Sequence, residues 1–565
     1  MVSIRKIGGL GRSYRHFLRY RQILGIIFKY GFGNIIDALN LDEYIEIGLK
    51  LISRNKGERL EKLSGAMRIR MIFEELGPTF IKFGQILSSR PDLIPVNLLT
   101  ELARLQDHVP PFSFDEVAAI ISAEFGRPHG EVFEFIDHTP IASASIGQVH
   151  RAGITGVGEV AVKVQRPGIR KIIEVDLEIM HHLATLAEDH VEEIAYHRPV
   201  RIVEEFAKSL GRELDYSVEA SNLERMARQF SNDKTVHIPG VFRAESSQRV
   251  LTMEFIRGVK ISERAALVRQ GLDIGQITRN GAQFVMKQVF DFGFFHADPH
   301  PGNLFVLPKN VICPVDFGMA GFIPRHTRES FVDLIYAIHK KDMRLGARFL
   351  LELADYDVEP DLAALEKDLT DFVVLNLDRP LKEIRIGQLV QDILEISSHH
   401  KMRIPPDLFL MMKAFATVEG VAKKLDPDFD MIKAAAPHVR QAKLSRLSPK
   451  RISEDMLGIT REALRFARIF PSDFLEILRL AKLGNIRLNI QIQGFERMLA
   501  THDQISNRIS FAIIIAALIM GSAQLINSNV PPILFGVSVI GIAGFIAAAL
   551  MGVWLLVAII KKGRL

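Results

Sequence analysis

Cysteine is almost absent from this sequence, in which Cys313 is the single example among 565 residues. One thiol excludes a disulfide framework and a cysteine-based zinc site within the chain, and it fits a reducing compartment. Because Cys313 lies in the apolar run Val311–Val315, we predict that it is a buried core residue. Aromatic residues are scarce at 8%, the net charge is only +5, and no nucleic-acid-binding motif is recognisable, so we expect no nucleic-acid partner.

The amino-terminal segment has no continuous apolar stretch and no small-residue cleavage site, so we expect no signal peptide. Its arginines alternate with large apolar or aromatic residues: Arg12, Arg15, Arg19 and Arg21 with Tyr14, Phe17, Leu18 and Tyr20. Two interpretations stay open, a basic amphipathic helix on a membrane surface or a solvated helix packed on the protein body.

Charge is missing from a long carboxy-terminal stretch, because no charged residue occurs between Ile509 and Ile560. Turn-forming residues at 527–532 divide this stretch into the apolar segments Ile509–Ile526 and Ile533–Ile560. A helix needs about 20 apolar residues to cross a bilayer, so we predict a transmembrane helical hairpin over residues 509–560. A buried helical hairpin in a soluble core is the alternative.

Basic residues flank both outer ends of this hairpin, at Arg508, Lys561, Lys562 and Arg564. The positive-inside rule therefore predicts that both ends, and with them the large soluble part, are cytoplasmic. Small residues four apart line the second segment, at Gly544, Ala548 and Gly552, and allow another helix to approach closely. That helix is either the first segment, through Ala512 and Ala516, or belongs to a second copy of the chain.

The remaining sequence predicts a small β-rich part followed by a helical part, with a cleft between them. Strands are predicted at Val132–Ile136, Ile146–Ala152, Val160–Gln165 and Val250–Phe255. Long helices are predicted at about 168–195 and 200–230, and from residue 261 to about 504 with an interruption around 296–318. We divide the chain into a basic amphipathic region (1–59), a helical extension (60–131), a β-rich lobe (132–258), a helical lobe (259–450), a helical linker (451–508) and the hairpin (509–560).

Phosphoryl chemistry needs a cation on the nucleotide phosphates and oxygen ligands for magnesium, and candidates occur in order along the chain. Lys163 ends Val160-Ala161-Val162-Lys163, which matches the kinase strand whose lysine pairs with phosphates and a helix glutamate. In the helix predicted at 200–230, Asp215 and Glu219 are four apart and share a face, while Glu213 points elsewhere. Taken alone, an edge-strand lysine and a solvated acidic face are the alternatives.

The loop at 296–303 is more specific, because Asp298 precedes Asn303 by five positions, as in the kinase catalytic loop. Asp316 follows in Val315-Asp316-Phe317-Gly318, the arrangement whose aspartate holds magnesium in kinases. Asn303 and Asp316 are therefore candidate magnesium ligands. A transition-metal site of His296, Asp298 and His300 is the alternative, which two prolines and the lack of further nearby histidines disfavour.

No Gly-x-Gly-x-x-Gly loop precedes the Lys163 strand. Its place is taken by Ala142, Ser143, Ala144, Ser145, Ile146, Gly147 and Gln148. Small residues still let the backbone approach phosphates, but the extra methyl groups restrict the loop and predict nucleotide behaviour unlike that of ordinary protein kinases. A plain turn between strands is the alternative.

A second lysine lies upstream, in an amphipathic helix that we expect to end before Pro91. Phe80, Phe83 and Leu87 form the apolar stripe of this helix, and Lys82 shares a polar face with Gln85.

Together these motifs resemble the UbiB family, also called the aarF-domain-containing kinases. The motifs are Lys82-x-Gly84-Gln85, the alanine-rich loop at Ala142–Gln148, Lys163, Glu213-x-Asp215 with Glu219, Asp298 to Asn303, and Asp316-Phe317-Gly318. The resemblance covers roughly residues 60–345 and extends through the paired carboxy-terminal segments typical of bacterial members. One departure is Ser143, which stands where many members have alanine.

The resemblance implies an α+β fold, an atypical protein-kinase-like bilobal fold with a helical N-terminal extension and a C-terminal two-helix transmembrane hairpin. Its N-lobe would be 132–258 and its C-lobe 259–450. Lys163 would pair with Glu219 and the phosphates of ATP. Asn303 and Asp316 would hold Mg²⁺, and Asp298 sits where kinases carry the catalytic base. The alanine-rich loop and Glu254 would complete the nucleotide site.

The resemblance also implies that the helix with Lys82, Gly84 and Gln85 folds over the site as a regulatory element and meets Glu213 and Asp215. The family is associated with ubiquinone biosynthesis, and its members resemble ATPases that act on a lipid-biosynthetic complex. We therefore expect a multi-pass protein of the bacterial inner membrane. Its expected partners are ATP, membrane lipids, isoprenoid quinone precursors, quinone-biosynthesis enzymes and a second copy bound through the transmembrane helices.

Two other functions stay open, a protein or small-molecule kinase and a nucleotide-binding membrane scaffold. The intact Lys163, Asp298, Asn303 and Asp316 argue against the scaffold. A quinone-ring hydroxylase is not expected, because no flavin or dinucleotide fingerprint, haem motif or iron site is evident in the sequence.

Overall fold

The computed structural model describes residues 10–33, 63–88, 94–105, 109–190, 199–356, 358–377, 385–446, 495–528, 531–534 and 537–562, with isolated positions between 448 and 482. The chain divides into two compact units, Met1–Glu454 and Asp455–Leu565. Of the predicted amphipathic region (1–59), residues 1–9 and 34–59 lie outside the described residues, and so does most of the predicted linker (451–508) before residue 495.

The amino-terminal part of the first unit is helical, as predicted. Its helices are α1 (Leu10–Lys29), α2 (Gly65–Leu76), α3 (Pro78–Leu87) and α4 (Val96–Leu102). Ile23 and Leu24 of α1 are buried, and Arg19 forms an ion pair of 2.7 Å with Asp176. From Phe17 onward, α1 is therefore a helix packed on the protein body, the second of the two interpretations. The side chains before Phe17 lie outside the described residues.

A twisted antiparallel sheet forms the β-rich lobe behind α5 (Phe114–Phe125) and α6 (His129–Val132). Its strands are β1 (Phe135–Ile136), β2 (Ala142–Ser143), β3 (Gly147–Ile154), β4 (Gly158–Gln165) and β5 (Val250–Glu254), in the order β1-β3-β4-β5 with β2 beside β3. Val160, Val162 and Val164 pack with Val117 of α5, so alternate residues such as Lys163 face the cleft. The strand predicted at Val132–Ile136 is wrong in its first residues, because the chain after Pro128 makes one helical turn before β1.

Among the described residues that follow β4, the chain forms three helices where two were predicted. They are α7 (Ile169–His190), α8 (Pro199–Glu213) and α9 (Tyr216–Gln229). The single helix predicted at 200–230 is wrong, because the chain breaks at Leu214 and Asp215. The Asp215 carboxylate caps α9 by accepting a 3.0 Å hydrogen bond from the Ser217 amide, an N-cap role that competes with helix continuation.

This break, the Leu214–Asp215 joint, is fixed on both sides. The Gln165 side chain donates a 2.9 Å hydrogen bond to the Leu214 carbonyl, and the Tyr216 amide donates one of 3.0 Å to the Gln248 carbonyl. Leu214 itself is buried. The directions of α8 and α9 are therefore set independently of each other.

The helical lobe contains short strands around the predicted interruption. The strands are β6 (Val259–Lys260), β7 (Phe294–His296), β8 (Leu304–Leu307), β9 (Val311–Pro314) and β10 (Ala320–Phe322), paired as β6-β8-β9 and β7-β10. The helices are α10 (Arg264–Arg269), α11 (Ile274–Met286), α12 (Arg325–His339), α13 (Met343–Leu353), α14 (Leu362–Leu377), α15 (Ile386–His399), α16 (Pro406–Leu425) and α17 (Met431–Ser445). Cys313 of β9 is fully buried, as predicted.

From residue 495 onward, the described part of the second unit forms the helices α18 (Phe495–Asn527) and α19 (Val539–Lys562), with the short strands β11 (Ile533–Leu534) and β12 (Val537–Ser538) between them. The helices pack antiparallel, since Gly544 lies against Ser522 and Trp554 against Phe511. Of the predicted small-residue stripe, Gly544 and the buried Ala548 face α18, whereas Gly552 faces open space.

Among the described residues of this unit, one helix is long and apolar enough to cross a membrane, at Ser506–Asn527 with a mean hydropathy of 2.3. The described apolar part of α19, Val539–Leu555, is shorter. The first predicted segment therefore meets the requirement for a membrane span by length and composition, while the two-helix transmembrane hairpin stays a prediction.

Candidate functional site

Lys163 stands at the centre of the cleft between the two lobes. Its ammonium nitrogen Nζ lies 3.0 and 2.8 Å from the two carboxylate oxygens of Glu219 and 3.7 Å from Oδ2 of Asp316. The predicted pairing with Glu219 is therefore present in the structure. Since β4 and α9 bring these two residues together from 56 positions apart, the pair joins the sheet to the helix that faces it.

Charges in the cleft perturb one another strongly. Burial disfavours the charged form of Lys163 and lowers its pKa. Attraction to the carboxylates of Asp316 and Glu219 outweighs burial and raises the pKa of Lys163 well above its ordinary value. Burial, together with the charge of Asp316, raises the pKa of Glu219 to about 7 in spite of Lys163. Burial would also raise the pKa of Asp316, but the charge of Lys163 and the amide of Gly318 hold it well below its usual range.

Backbone pairing brings Asn303 and Asp316 near each other where β8 and β9 separate. Beyond the last paired residues of this hairpin, the Val315 amide donates a 3.0 Å hydrogen bond to the Asn303 carbonyl. Asn303 is thus opposite Val315 and adjacent to Asp316, whose side chain is 42% exposed. A carboxylate held ionised and an amide oxygen are ligands that Mg²⁺ accepts, so this donor set fits the predicted metal.

Asp298 lies in a tightly folded loop after β7. The His300 amide donates to the Asp298 carbonyl at 2.8 Å, and the Asn303 amide donates to the His300 carbonyl at 3.0 Å. The Asp298 carboxylate is left partly exposed, and Nζ of Lys413 lies 3.9 Å from its Oδ1. Lys413 was not predicted, because it lies on α16 in a stretch without any motif that marks a site.

Of the two histidines of this loop, His296 packs on an aromatic ring and His300 bonds to a backbone amide. His296 is buried against Phe317 with ring centroids 5.0 Å apart, and burial lowers its pKa. Nδ1 of His300 accepts a 3.0 Å hydrogen bond from the Gly302 amide. Within the part of the chain that the structure describes, the ligand atoms of His296, Asp298 and His300 form no metal-binding group. The kinase-type interpretation of this loop stays a prediction.

The alanine-rich segment is a β-hairpin rather than an open loop. Ala142 and Ser143 form β2, the Ala144 amide donates a 2.8 Å hydrogen bond to the Gly147 carbonyl, and only residues 144–146 turn. The Ser143 hydroxyl donates to the Val109 carbonyl at 3.0 Å. A Cβ on Gly147 would lie 2.7 Å from the Val164 carbonyl oxygen and would clash with the Tyr216 hydroxyl, so this position needs glycine.

Three polar side chains of this segment have different surroundings. The Gln148 side chain is buried and exchanges hydrogen bonds of 3.0 and 3.2 Å with the backbone of Phe112, so it braces the hairpin. The hydroxyls of Ser145 and Tyr216 are buried and, among the described residues, have no hydrogen-bond partner. Buried hydroxyls are normally paired, so these two are exceptions among the described residues.

Glu254 lies at the end of β5, where the chain leaves the sheet for the helical lobe. Its Oε2 is 2.9 Å from Nε2 of His237 and accepts a 3.2 Å hydrogen bond from the Gly240 amide. The carboxylate therefore fixes the segment that connects the two lobes. Its part in the nucleotide site stays a prediction.

The upstream lysine motif reaches the cleft through α3. Nζ of Lys82 lies 2.5 Å from Oε1 of Glu213, and both side chains are only 14% exposed. The charge of Lys82 also contributes to the low pKa of Asp316. Gln85 donates a 3.3 Å hydrogen bond to the Leu105 carbonyl, and a Cβ on Gly84 would lie 2.8 Å from the Phe73 ring, so both hold α3 against its neighbours.

The acidic set is divided between the two helices. Glu213 ends α8 and bonds to Lys82, whereas Glu219 lies in the first turn of α9 and bonds to Lys163. The prediction that Asp215 and Glu219 share a helix face is wrong, because Asp215 is the N-cap of α9. Asp215 therefore acts on the site through the direction of α9.

Comparison with known protein families agrees with this geometry. The ABC1 atypical kinase-like domain matches residues 104–348, the UbiB helical domain residues 369–430, and the ABC1/UbiB kinase-like C-terminal domain residues 493–561. The kinase-like match contains Lys163, Glu219, Asp298 and Asp316.

Several curated proteins are similar over most of the chain. The "Uncharacterized protein in hydrogenase 1 5'region" of Clostridium pasteurianum is 31% identical over 97% of this chain and 99% of its own length. The "Probable protein kinase UbiB" of Aeromonas hydrophila is 34% identical over 78% of this chain and 81% of its own. "Protein ACTIVITY OF BC1 COMPLEX KINASE 7, chloroplastic" of Arabidopsis thaliana is 37% identical over 65% of this chain and 53% of its own. The chain therefore belongs to the ABC1/UbiB family of atypical kinase-like proteins.

Proposed function

We propose that this chain is a membrane-anchored, ATP- and Mg²⁺-dependent ATPase of the atypical kinase type that supports ubiquinone, or another isoprenoid quinone, biosynthesis. The observation that carries the proposal is that the carboxylates of Glu219 and Asp316 both lie within 4 Å of the ammonium nitrogen of Lys163. A cation poised between a helix glutamate and a metal-type aspartate is the arrangement that kinase-like enzymes use on nucleotide phosphates.

The cleft supplies the groups that Mg²⁺ and ATP need. Asn303 and Asp316 would hold the metal, which would neutralise charge on the β- and γ-phosphate oxygens. Lys163 would bind phosphate oxygens while Glu219 orients its ammonium group.

The reaction needs one proton acceptor. A water oxygen forms a bond to the γ-phosphorus of ATP, the bond to the β,γ-bridging oxygen breaks, and ADP leaves with that electron pair. Asp298 accepts the proton of the attacking water, because its partly exposed carboxylate lies in the loop where kinases carry their base.

The position of α3 favours hydrolysis or a small acceptor over a protein acceptor. Lys82 is bonded to Glu213 beside the cleft, and its charge acts on Asp316. A helix fixed there occupies space in which an extended peptide would have to dock. Phosphorylation of a protein partner by the unmodified chain would contradict this part of the proposal and favour the kinase alternative.

Membrane anchoring rests on the second unit. Only 6% of the most apolar window within Ser506–Asn527 is buried, and side chains such as Ile513 and Met520 are exposed. A helix of a soluble core would be mostly buried, so lipid is the environment that suits these side chains. We propose that the catalytic part is cytoplasmic at the bacterial inner membrane and acts with quinone-biosynthesis enzymes on membrane-bound quinone precursors.

The first experiment measures phosphate release from Mg·ATP by the full chain in liposomes. Wild type should release phosphate, Asp316→Asn should lose at least about 100-fold in rate because a metal ligand is gone, and Asp189→Asn, at an exposed position of α7, should match wild type. Equal rates for wild type and Asp316→Asn would refute the site.

The second experiment tests the pathway. Quinone content is measured by mass spectrometry in a bacterial strain that lacks its own UbiB protein and carries either wild type, Asp316→Asn or Asp189→Asn. We expect quinone with wild type and Asp189→Asn only. An active ATPase that restores no quinone would keep the enzymatic assignment and overturn the biosynthetic one.

A further inference from the structure

Lys413 of α16 directs its ammonium group to the space in front of Asp298. The Nζ to Oδ1 distance is 3.9 Å, and the two side chains are 30% and 36% exposed. This distance is too long for a direct hydrogen bond, yet both groups open onto the same space. A third group with oxygen atoms can therefore contact both of them at once.

The backbone that carries Lys413 is held rigidly. Met411 and Ala414 are fully buried, and the Phe415 ring stacks on Phe290 with centroids 6.0 Å apart. Pro299, next to Asp298, lines the same small apolar cavity as Val418, one turn further along α16. The helix and the loop of Asp298 are thus packed together, so the Lys413 position is part of the fold of the site.

Charge requirements give this lysine a use. The phosphoryl group in transfer spreads negative charge over three oxygens, and a carboxylate base beside it repels that charge. Lys163 is already bonded to Glu219, and Lys82 to Glu213. Lys413 differs from these two lysines because the carboxylate nearest to it is that of Asp298.

We propose that Lys413 is a further catalytic residue, which contacts the γ-phosphoryl group of ATP next to Asp298 and stabilises its charge during transfer. The inference rests on the proposed ATPase function. Lys413 lies in residues 369–430, matched by the UbiB helical domain, outside residues 104–348 of the kinase-like domain. The helical domain then has a chemical role, because it supplies one side chain of the active site.

Steady-state hydrolysis of Mg·ATP by the full chain in liposomes tests the proposal through Lys413→Met and Lys413→Arg. We expect Lys413→Met to lower kcat by about 10- to 100-fold with a smaller change in KM, because the contact strengthens as charge develops. Lys413→Arg should recover at least about tenfold of that loss, since it restores the charge. Lys424→Met, which removes an exposed lysine from the same helix, should match wild type.

A kcat of Lys413→Met within twofold of wild type, or an Arg variant no better than the Met variant, would overturn the proposal. Melting temperatures of all variants identify any that fail to fold.

A binding measurement separates failure of this inference from failure of the ATPase assignment. Affinities for Mg·ADP and for a nonhydrolysable ATP analogue with an imido bridge are compared, since these ligands differ in the γ-phosphate. Lys413→Met should lower the preference for the analogue by at least about threefold and leave ADP affinity unchanged. If wild type hydrolyses no ATP, the ATPase assignment fails, and an unchanged preference in Lys413→Met would still overturn the contact with the γ-phosphate.

Discussion

Glu219 offers a quantitative test of the charges in the cleft, through the variant Glu219→Gln. Burial and Asp316 raise its pKa from 4.5 to about 7 in the folded protein without ligands. Between these two values, the folded state holds a proton that the unfolded state has released. Stability therefore falls as the pH rises from about 4.5 through about 7.

The expected size comes from the shift. Each unit of pKa difference corresponds to about 1.4 kcal/mol, so ionisation of Glu219 lowers the free energy of unfolding by about 3 kcal/mol at most. For a unit of 454 residues that free energy corresponds to about 3 °C in melting temperature. Glutamine has the same shape but no titration, so the wild-type melting temperature should fall relative to that of Glu219→Gln between pH 5 and pH 8.

Thermal melting of both proteins in detergent, without nucleotide and with a metal chelator, measures this difference. Glu224→Gln is the matched control on α9, because hydrogen bonds from Arg243 lower the pKa of Glu224 and its titration lies below this pH range. The difference in melting temperature between Glu224→Gln and wild type should stay constant from pH 5 to pH 8. If wild type instead gained stability over Glu219→Gln as the pH rose, the attraction of Lys163 would outweigh burial and the assigned direction would be refuted.

Three further predictions concern close contacts. Gly147→Ala should lower the free energy of unfolding by about 2–3 kcal/mol, because the new Cβ meets the Val164 carbonyl and the Tyr216 hydroxyl. The control Gly130→Ala faces open space and should change this free energy by less than about 0.5 kcal/mol. Melting temperatures of the two variants test both expectations. Lys82→Met and Glu213→Gln should be non-additive by about 1–3 kcal/mol in a double-mutant cycle of unfolding free energies, whereas additive losses would contradict their bond. Gly544→Leu should separate α18 from α19 and shift the fluorescence of Trp554, the single tryptophan. Gly521→Leu lies in open space and should leave the fluorescence unchanged. Identical spectra for Gly544→Leu and wild type would reject this packing.

Local pattern singled out the kinase-type residues because each of them sits in a short motif, and their roles stay predictions. Lys163 alternates with apolar residues in a strand, and the Asp298–Asn303 and Asp316-Phe317-Gly318 motifs have fixed spacings. The pairing of β8 with β9, which brings Asn303 opposite Val315, was not predicted, because the sequence indicated only an interruption around 296–318. The helix predicted through Glu213 and Glu219 failed because an Asp-x-Ser cap outweighed the apolar periodicity that continues through the break.

Long-range contacts of residues outside any recognised motif were beyond the sequence. Lys413 is 115 positions from Asp298 and carries no local signal, since a lysine on an amphipathic helix is normally solvated. Likewise, nothing near Glu254 in the sequence indicates that its carboxylate bonds to His237 and Gly240. Such contacts depend on how helices and loops pack, which periodicity does not specify.

The Leu214–Asp215 joint limits how this part of the chain can vary in length. Each residue added to a helix rotates the later residues of that helix by about 100°, so one inserted residue at the start of α9 would turn Glu219 away from Lys163. Glu213 and Lys82 would keep their bond, because they lie before the joint. Insertions and deletions should therefore be tolerated in the turn Thr155–Val157 but not at the joint. On either side of the joint, Glu213 and Glu219, six positions apart, bond to Lys82 and Lys163, which are 81 positions apart.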